Sequence, residues 1–130
     1  FVVRALNGMP IEVFGDGRQI MDMIYIRDIA EVLIRAAVME HGCYDKVFEA
    51  GTGRRTTVLE IAEAINRAAG NKAGVKHLPM RPGEPEGSVV LGDPATLAPL
   101  GVKPEDLTTL EDGIERTVRW YRDHYDWKSI

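Results

Sequence analysis

Residues 15–28 read Gly15-Asp16-Gly17-Arg18-Gln19-Ile20-Met21-Asp22-Met23-Ile24-Tyr25-Ile26-Arg27-Asp28, and three kinds of structure meet within them. Gly15 and Gly17 flank Asp16, and glycine takes positive φ without a Cβ clash, so the stretch opens as a tight turn. Ile20 to Ile26 then predicts a strand, with Ile20, Asp22, Ile24 and Ile26 on one face and Met21, Met23 and Tyr25 on the other. Both faces are largely apolar, so this strand is expected to be covered on both sides. From Asp28 the period changes. Ile26, Ile29, Ala30, Leu33, Ile34, Ala37 and Val38 recur at three- and four-residue spacing, which predicts an amphipathic helix ending near His41-Gly42. Asp28 stands where a carboxylate meets the free N–H groups of that helix.

Upstream, Phe1 to Asn7 reads as the end of a helix stopped at Gly8, and Ile11 to Phe14 as a short strand feeding the turn. Downstream, Lys46 to Ala50 predicts a strand running into Gly51-Thr52-Gly53. Thr57-Val58-Leu59-Glu60 matches a capping box and opens a helix with the stripe Val58, Ile61, Ala62, Ile65 and Ala69, ended by Gly70. Val75 to Leu78 predicts another strand, Pro79 to Gly87 a loop, and Ser88 to Leu91 a short strand. Asp93-Pro94 starts a short helix stopped by Gly101. Thr108-Thr109-Leu110-Glu111 is a second capping-box match, for a last helix burying Leu110, Ile114, Val118, Tyr121 and Tyr125; the tail from Asp126 to Ile130 is expected to fray. No repeat or linker divides residues 1–130. The order predicts one small α/β (α+β) domain, a short mixed sheet with three main helices.

The composition, 45% hydrophobic and 28% charged over 130 residues, is that of a soluble globular domain. A net charge of −4 argues against a large cationic footprint for nucleic acid. No apolar run approaches the roughly 20 residues of a membrane span. Cys43 is the single cysteine, which excludes an internal disulfide, and with no signal peptide in view the expected location is cytoplasmic. His41, His77 and His124 are too scattered to suggest a metal site. The chain opens on Phe1-Val2-Val3 with an apolar segment already under way, as a cut through a longer protein, or a processed chain, would.

Gly15-Asp-Gly-x-Gln19, then Asp22, then Tyr25-Ile-x-Asp28-Ile29-Ala30 resembles the substrate-domain signature of the extended short-chain dehydrogenase/reductases. These are the NAD(P)-dependent epimerases and dehydratases acting on nucleotide sugars. Val47-Phe-Glu-Ala-Gly51-Thr-Gly53 with Thr57–Glu60 is similar to the next family block. Arg81-Pro-Gly-Glu84, Asp93, Leu100-Gly101, Pro104 and Leu110-Glu-Asp-Gly113 follow in the family's order, so the resemblance covers nearly the whole chain. It implies the C-terminal, substrate-binding portion of such an enzyme. The family's cofactor half carries a glycine-rich GxxGxxG turn and a catalytic Tyr-x-x-x-Lys pair, and neither is in this sequence. Tyr25, Tyr44, Tyr121 and Tyr125 are followed four residues on by Ile29, Phe48, Tyr125 and Ser129. Gly51-Thr52-Gly53 lacks a third glycine and reads as a plain turn. The expectation is no catalytic residue and no cofactor bound by this chain alone, with NAD(P) belonging to the parent enzyme.

The resemblance implies a nucleotide-diphosphate sugar as ligand, with Gln19, Tyr25, Arg81 and Glu84 as its candidate binding residues. Arginine's planar fork suits phosphate oxygens, and the resemblance makes Arg81 such a donor, with Glu84 holding its guanidinium or accepting from the ribose. The plainer reading is an exposed Arg81–Glu84 pair worth little. Where the family has arginine, in Gly-x-Gly-x-Gln-x-Arg-Asp, this chain has Met21, which cannot neutralise a phosphate and is expected to weaken the site. Arg18 in the turn and Arg27 on the same strand parity are the candidate compensating cations. Asp22, on a two-sided apolar strand, must find a donor. Two functions follow: a substrate-binding segment inactive alone, or a free-standing assembly module whose sheet edge at Lys46–Ala50 and apolar faces drive formation of a homodimer.

Overall fold

The computed structural model describes residues 1–39, 45–85 and 87–126. In chain order its elements are α1 (Val2–Leu6), β1 (Ile11–Phe14), β2 (Ile20–Met21), α2 (Ile26–Val38), β3 (Thr56–Thr57), α3 (Val58–Ala69), β4 (Val75–Leu78) and α4 (Leu110–His124). Two 3₁₀ helices, Pro94–Leu100 and Pro104–Asp106, fill the stretch before α4. The α/β class and the three main helices are those expected. The expected single mixed sheet is instead two pairs, β1 with β4 in parallel and β2 with β3 antiparallel.

The larger core forms where β1 meets α3. Ile11 and Val13, alternate residues of β1, are fully buried, and α3 brings Ile61, Ala62 and Ile65 to them. Ile114 and Val118 of α4 and Ala5 of α1 close that cluster. The helix α3 is defined at both ends: Thr57 and Glu60 form the reciprocal capping box, and Gly70 takes the left-handed conformation beyond the last turn. A second cluster gathers Val32 of α2 with Leu97, Leu100, Val102 and Leu107.

Several expectations are corrected. The strand over Ile20–Ile26 stops at Met21, because Asp22 turns its carboxylate to the backbone of two other loops. α2 then begins at Ile26, two residues before Asp28, and Asp28 does not cap it. The Asp28 carboxylate accepts from the Thr108 N–H at 2.7 Å and the Thr108 hydroxyl at 3.0 Å. Thr108 being so used, the cap of α4 falls on Thr109, which accepts from the Asp112 N–H. Lys46–Ala50 forms no strand; its Glu49 N–H goes to Thr96 Oγ1, while Phe48 and Ala50 pack on the second core. Ser88–Leu91 is reduced to a parallel bridge between Val89 and Ile20. Tyr25 and Tyr125 also depart from the pattern: Tyr25 is the N-cap residue of α2, and Tyr125 is exposed at the end of α4.

The apolar stripe of α2 faces outward. Ile26, Leu33, Ile34 and Val38 are exposed, while Val32 is 3% exposed. The helix is held from the other side, where Arg35 donates to the Leu100 and Gly101 carbonyls at 3.3 and 2.9 Å. The expected helix end at His41-Gly42, Cys43, Tyr44 and the tail beyond Asp126 lie outside the described residues.

Candidate functional site

Because β1 and β4 are parallel, their carboxyl ends open at one edge, where α/β folds place ligands. The register Phe14↔Leu78 brings the Gly15 turn and the loop after Leu78 to that edge. The Gly15 N–H donates to the Leu78 carbonyl at 2.8 Å. His77 Nδ1 lies 2.8 Å from the Gly15 carbonyl, which only accepts, so Nδ1 carries the proton. Gly17, at φ 75°, is pressed onto α3: a Cβ there would stand 3.0 Å from Val13 Cγ1 and 3.2 Å from Leu59 Cβ. Gln19, 3% exposed, donates from Nε2 to the Phe14 carbonyl at 3.1 Å, which fixes the orientation of its amide. Its Oε1 is buried without a partner among the described residues.

A cavity of about 520 Å³ opens at this edge. Gln19, Met21, Arg81 and Glu84 line it together with Phe14, and Val58 and Ile61 of α3 contribute to its apolar wall. The Arg81 guanidinium carbon sits 4.1 Å from the centroid of the Phe14 ring. No ion pair among the described residues joins Arg81 to Glu84; what links them is a backbone turn, Glu84 N–H to Arg81 carbonyl at 3.1 Å. Glu12, also on the wall, is engaged by Arg4 at 3.2 Å and Lys76 at 3.9 Å.

The other candidates are placed elsewhere. Tyr25 lines a second cavity of about 270 Å³ beside Thr109 and Gly113, with the Arg116 guanidinium carbon 5.5 Å from its ring centroid. Arg18 lies in the turn beside Asp16, its side chain 84% exposed. Arg27 is exposed on α2. Neither arginine lines the 520 Å³ cavity. Phe14 is not singled out by its sequence context. The available signal is its place as the last residue of a strand directly before a glycine turn.

Next to Met21 in the chain, Asp22 fastens three segments. Its carboxylate accepts from the Thr52 N–H at 2.8 Å, the Thr52 hydroxyl at 2.6 Å, the Gly53 N–H at 2.8 Å and the Gly92 N–H at 3.0 Å. Partial burial pushes this carboxyl up, but the bonds from Thr52, Gly53 and Gly92 outweigh it and hold the pKa below the ordinary aspartate value. The packing is close: a Cβ on Gly51 would stand 2.5 Å from Asp22 Oδ2 and 3.0 Å from Gly92 Cα.

These contacts decide whether Gly51-Thr52-Gly53 suits a dinucleotide phosphate. Its Thr52 and Gly53 amides already face a carboxylate, and the N-terminus of α3 is closed by its own capping box, so this turn does not fit the group. No cluster of three or more His, Cys, Asp or Glu among the described residues is arranged to hold a metal ion. No described helix is long and apolar enough to cross a membrane.

Residues 1–51 match the model of the NAD dependent epimerase/dehydratase family. A dTDP-glucose 4,6-dehydratase of Actinoplanes sp. is 33% identical over 129 residues, 98% of this chain and 38% of that relative. Among solved structures, UDP-glucose 4-epimerase of Thermotoga maritima with UDP-glucose superposes with a TM-score of 0.79 at 28% identity, over 93% of this chain and 37% of that one. UDP-glucose 4-epimerase of Thermus thermophilus in complex with NAD gives a TM-score of 0.77 at 30% identity, over 95% and 39%. The chain therefore spans less than two-fifths of the length of each of these three proteins.

Proposed function

We propose that this chain, which is related to the NAD dependent epimerase/dehydratase family, is the nucleotide-sugar-binding portion of such an enzyme and performs no turnover alone. The observation that carries this reading is the convergence of the Gly15 turn and the Arg81 loop on one cavity at the carboxyl ends of β1 and β4. Relatives of the same fold hold UDP-glucose or NAD, which supports the ligand class. In this reading Arg81 donates to a phosphate oxygen, Glu84 accepts from a ribose hydroxyl, and Gln19 braces the turn beneath them. Tyr25 is reached by a ligand extending past Met23, which borders both cavities. Met21 makes the interaction weak, and neither Arg18 nor Arg27 replaces the lost charge. The cofactor and the acid/base tyrosine come from outside residues 1–130, and the cytoplasm is the expected location.

Titration of the chain with UDP-, dTDP- and GDP-sugars, followed by NMR, tests the reading. Shifts at Gln19, Arg81 and Glu84 are expected, and no binding of any of the three would overturn it. Turnover by the chain with added NAD would overturn its inactivity. A second reading, a self-associating module, is favoured by the outward face of α2, where Ile26, Leu33, Ile34 and Val38 are all exposed. A monomer at high concentration by light scattering would count against it.

A further inference from the structure

The distribution of charge around the cavity at the carboxyl ends of β1 and β4 bears on which part of a ligand it holds. Among the described residues, Arg81 is the one cationic side chain in its lining, and Glu84 stands on the same wall. Glu12 is already held by Arg4 and Lys76. Met21 and Met23 present thioethers, which donate no hydrogen bond. A diphosphate brought here meets a single exposed guanidinium with a carboxylate near it, and exposed ion pairs contribute little. What the wall offers instead suits a nucleoside. The guanidinium over Phe14 makes a flat platform on which a planar base can stack. Gln19 lines the cavity, and its Oε1, buried and without a partner among the described residues, is an acceptor in need of a donor. Phosphate oxygens are acceptors and cannot supply one, whereas a base N–H or a ribose hydroxyl is a donor that reaches Oε1 once the side chain swings toward the cavity.

We infer that the nucleoside half of the ligand carries the binding, with the Arg81 guanidinium stacking on the base in place of the phosphate contact given to it above, and that the diphosphate adds little, so this site takes nucleosides and nucleoside monophosphates about as well as nucleoside diphosphates. The inference rests on the nucleotide-binding reading above and specifies what that site recognises.

Calorimetric titration of the intact chain with uridine, UMP, UDP and UDP-glucose, at low and at near-physiological salt, tests it. The four Kd values are expected to agree within about threefold and to change less than about threefold with salt, because few charges are neutralised. Met21→Arg, at an exposed position on the wall, is expected to raise the preference for UDP over uridine about tenfold by adding a forked donor. UDP binding to the natural chain about tenfold or more tighter than uridine, with the advantage lost in salt, would overturn the inference while leaving the nucleotide site standing. No binding of any of the four would overturn both. The natural-chain series decides the matter even where the Met21→Arg variant fails to fold.

Discussion

Replacing Asp22 by asparagine changes one atom's chemistry at the junction of three segments. With Oδ1 kept toward Thr52, the new amide nitrogen takes the place of Oδ2 and faces the Gly53 and Gly92 N–H groups, donor against donor. With the amide flipped, the Thr52 N–H loses its acceptor and faces a donor, while the Thr52 hydroxyl turns to accept from the amide. Either way at least one of the four bonds goes, and those that remain lose their charged partner. Each bond to a charged group is worth about 1.5–3 kcal/mol. Asp22 is half-buried, so water recovers part of the loss, and a cost of about 2–4 kcal/mol follows. With an unfolding entropy of about 2.1 cal/mol/K per residue, a 130-residue domain loses roughly 7–15 °C in Tm. The pH dependence gives an independent check. The folded pKa of Asp22 is depressed, so its contribution is fully present above the unfolded value near 3.8 and is lost as pH falls through the folded value. Calorimetric Tm values for both proteins should differ most at neutral pH and converge in acid, as the natural aspartate protonates. A difference under about 2 °C at pH 7, or one that persists undiminished into strong acid, would refute this account of Asp22.

Gly51→Ala drives a methyl into Asp22 Oδ2 and the Gly92 backbone, and is expected to cost about 1–3 kcal/mol, read as a lower urea midpoint. Thr57→Ala removes the α3 cap and should cost about 1 kcal/mol. In the same variant the Glu60 carboxyl, now held low mainly by the Thr57 backbone N–H and then its hydroxyl, should move up toward the ordinary value when titrated by NMR, because the hydroxyl contribution is gone. Leu33→Glu places a charge on the outward face of α2 and should leave the Tm nearly unchanged while lowering any concentration-dependent mass seen by light scattering.

The sequence is most legible where the interacting groups are neighbours along the chain. The Gly15–Gly17 turn, the Thr57–Glu60 box, the Asp93 cap and the stops at Gly70 and Gly101 all stand where expected, because the donors and acceptors involved lie within a few residues. The errors fall where one side chain reaches far. Asp22 takes donors 30 and 70 positions away, and that ends the strand predicted through it. Asp28, expected at the start of its own helix, instead holds Thr108, 80 positions on, displacing the next cap by a residue. The stripe on α2 shows a different limit: periodicity finds an apolar face without saying what lies against it, and here the chain packs on the Val32 and Ala36 side.

The same distinction of range separates the candidate site residues. Gln19, Arg81 and Glu84 meet because two short strands, correctly placed from their own residues, pair in parallel with Phe14 opposite Leu78, and both following loops then share an edge. Tyr25 lies beyond Asp22, and once the strand breaks there, alternation no longer carries Tyr25 to that edge. The motif 15–28 thus contains two sets of constraints. Asp22 and Asp28 direct their carboxylates at loops of the fold, while Gln19 and Met21 line the cavity. Met21 is adjacent to Asp22 in sequence and makes none of the bonds that fasten the junction. A change of side chain at Met21 can therefore alter what the cavity holds while the scaffold beneath it stays in place, and this separation is what makes Met21→Arg a test of recognition and Asp22→Asn a test of stability.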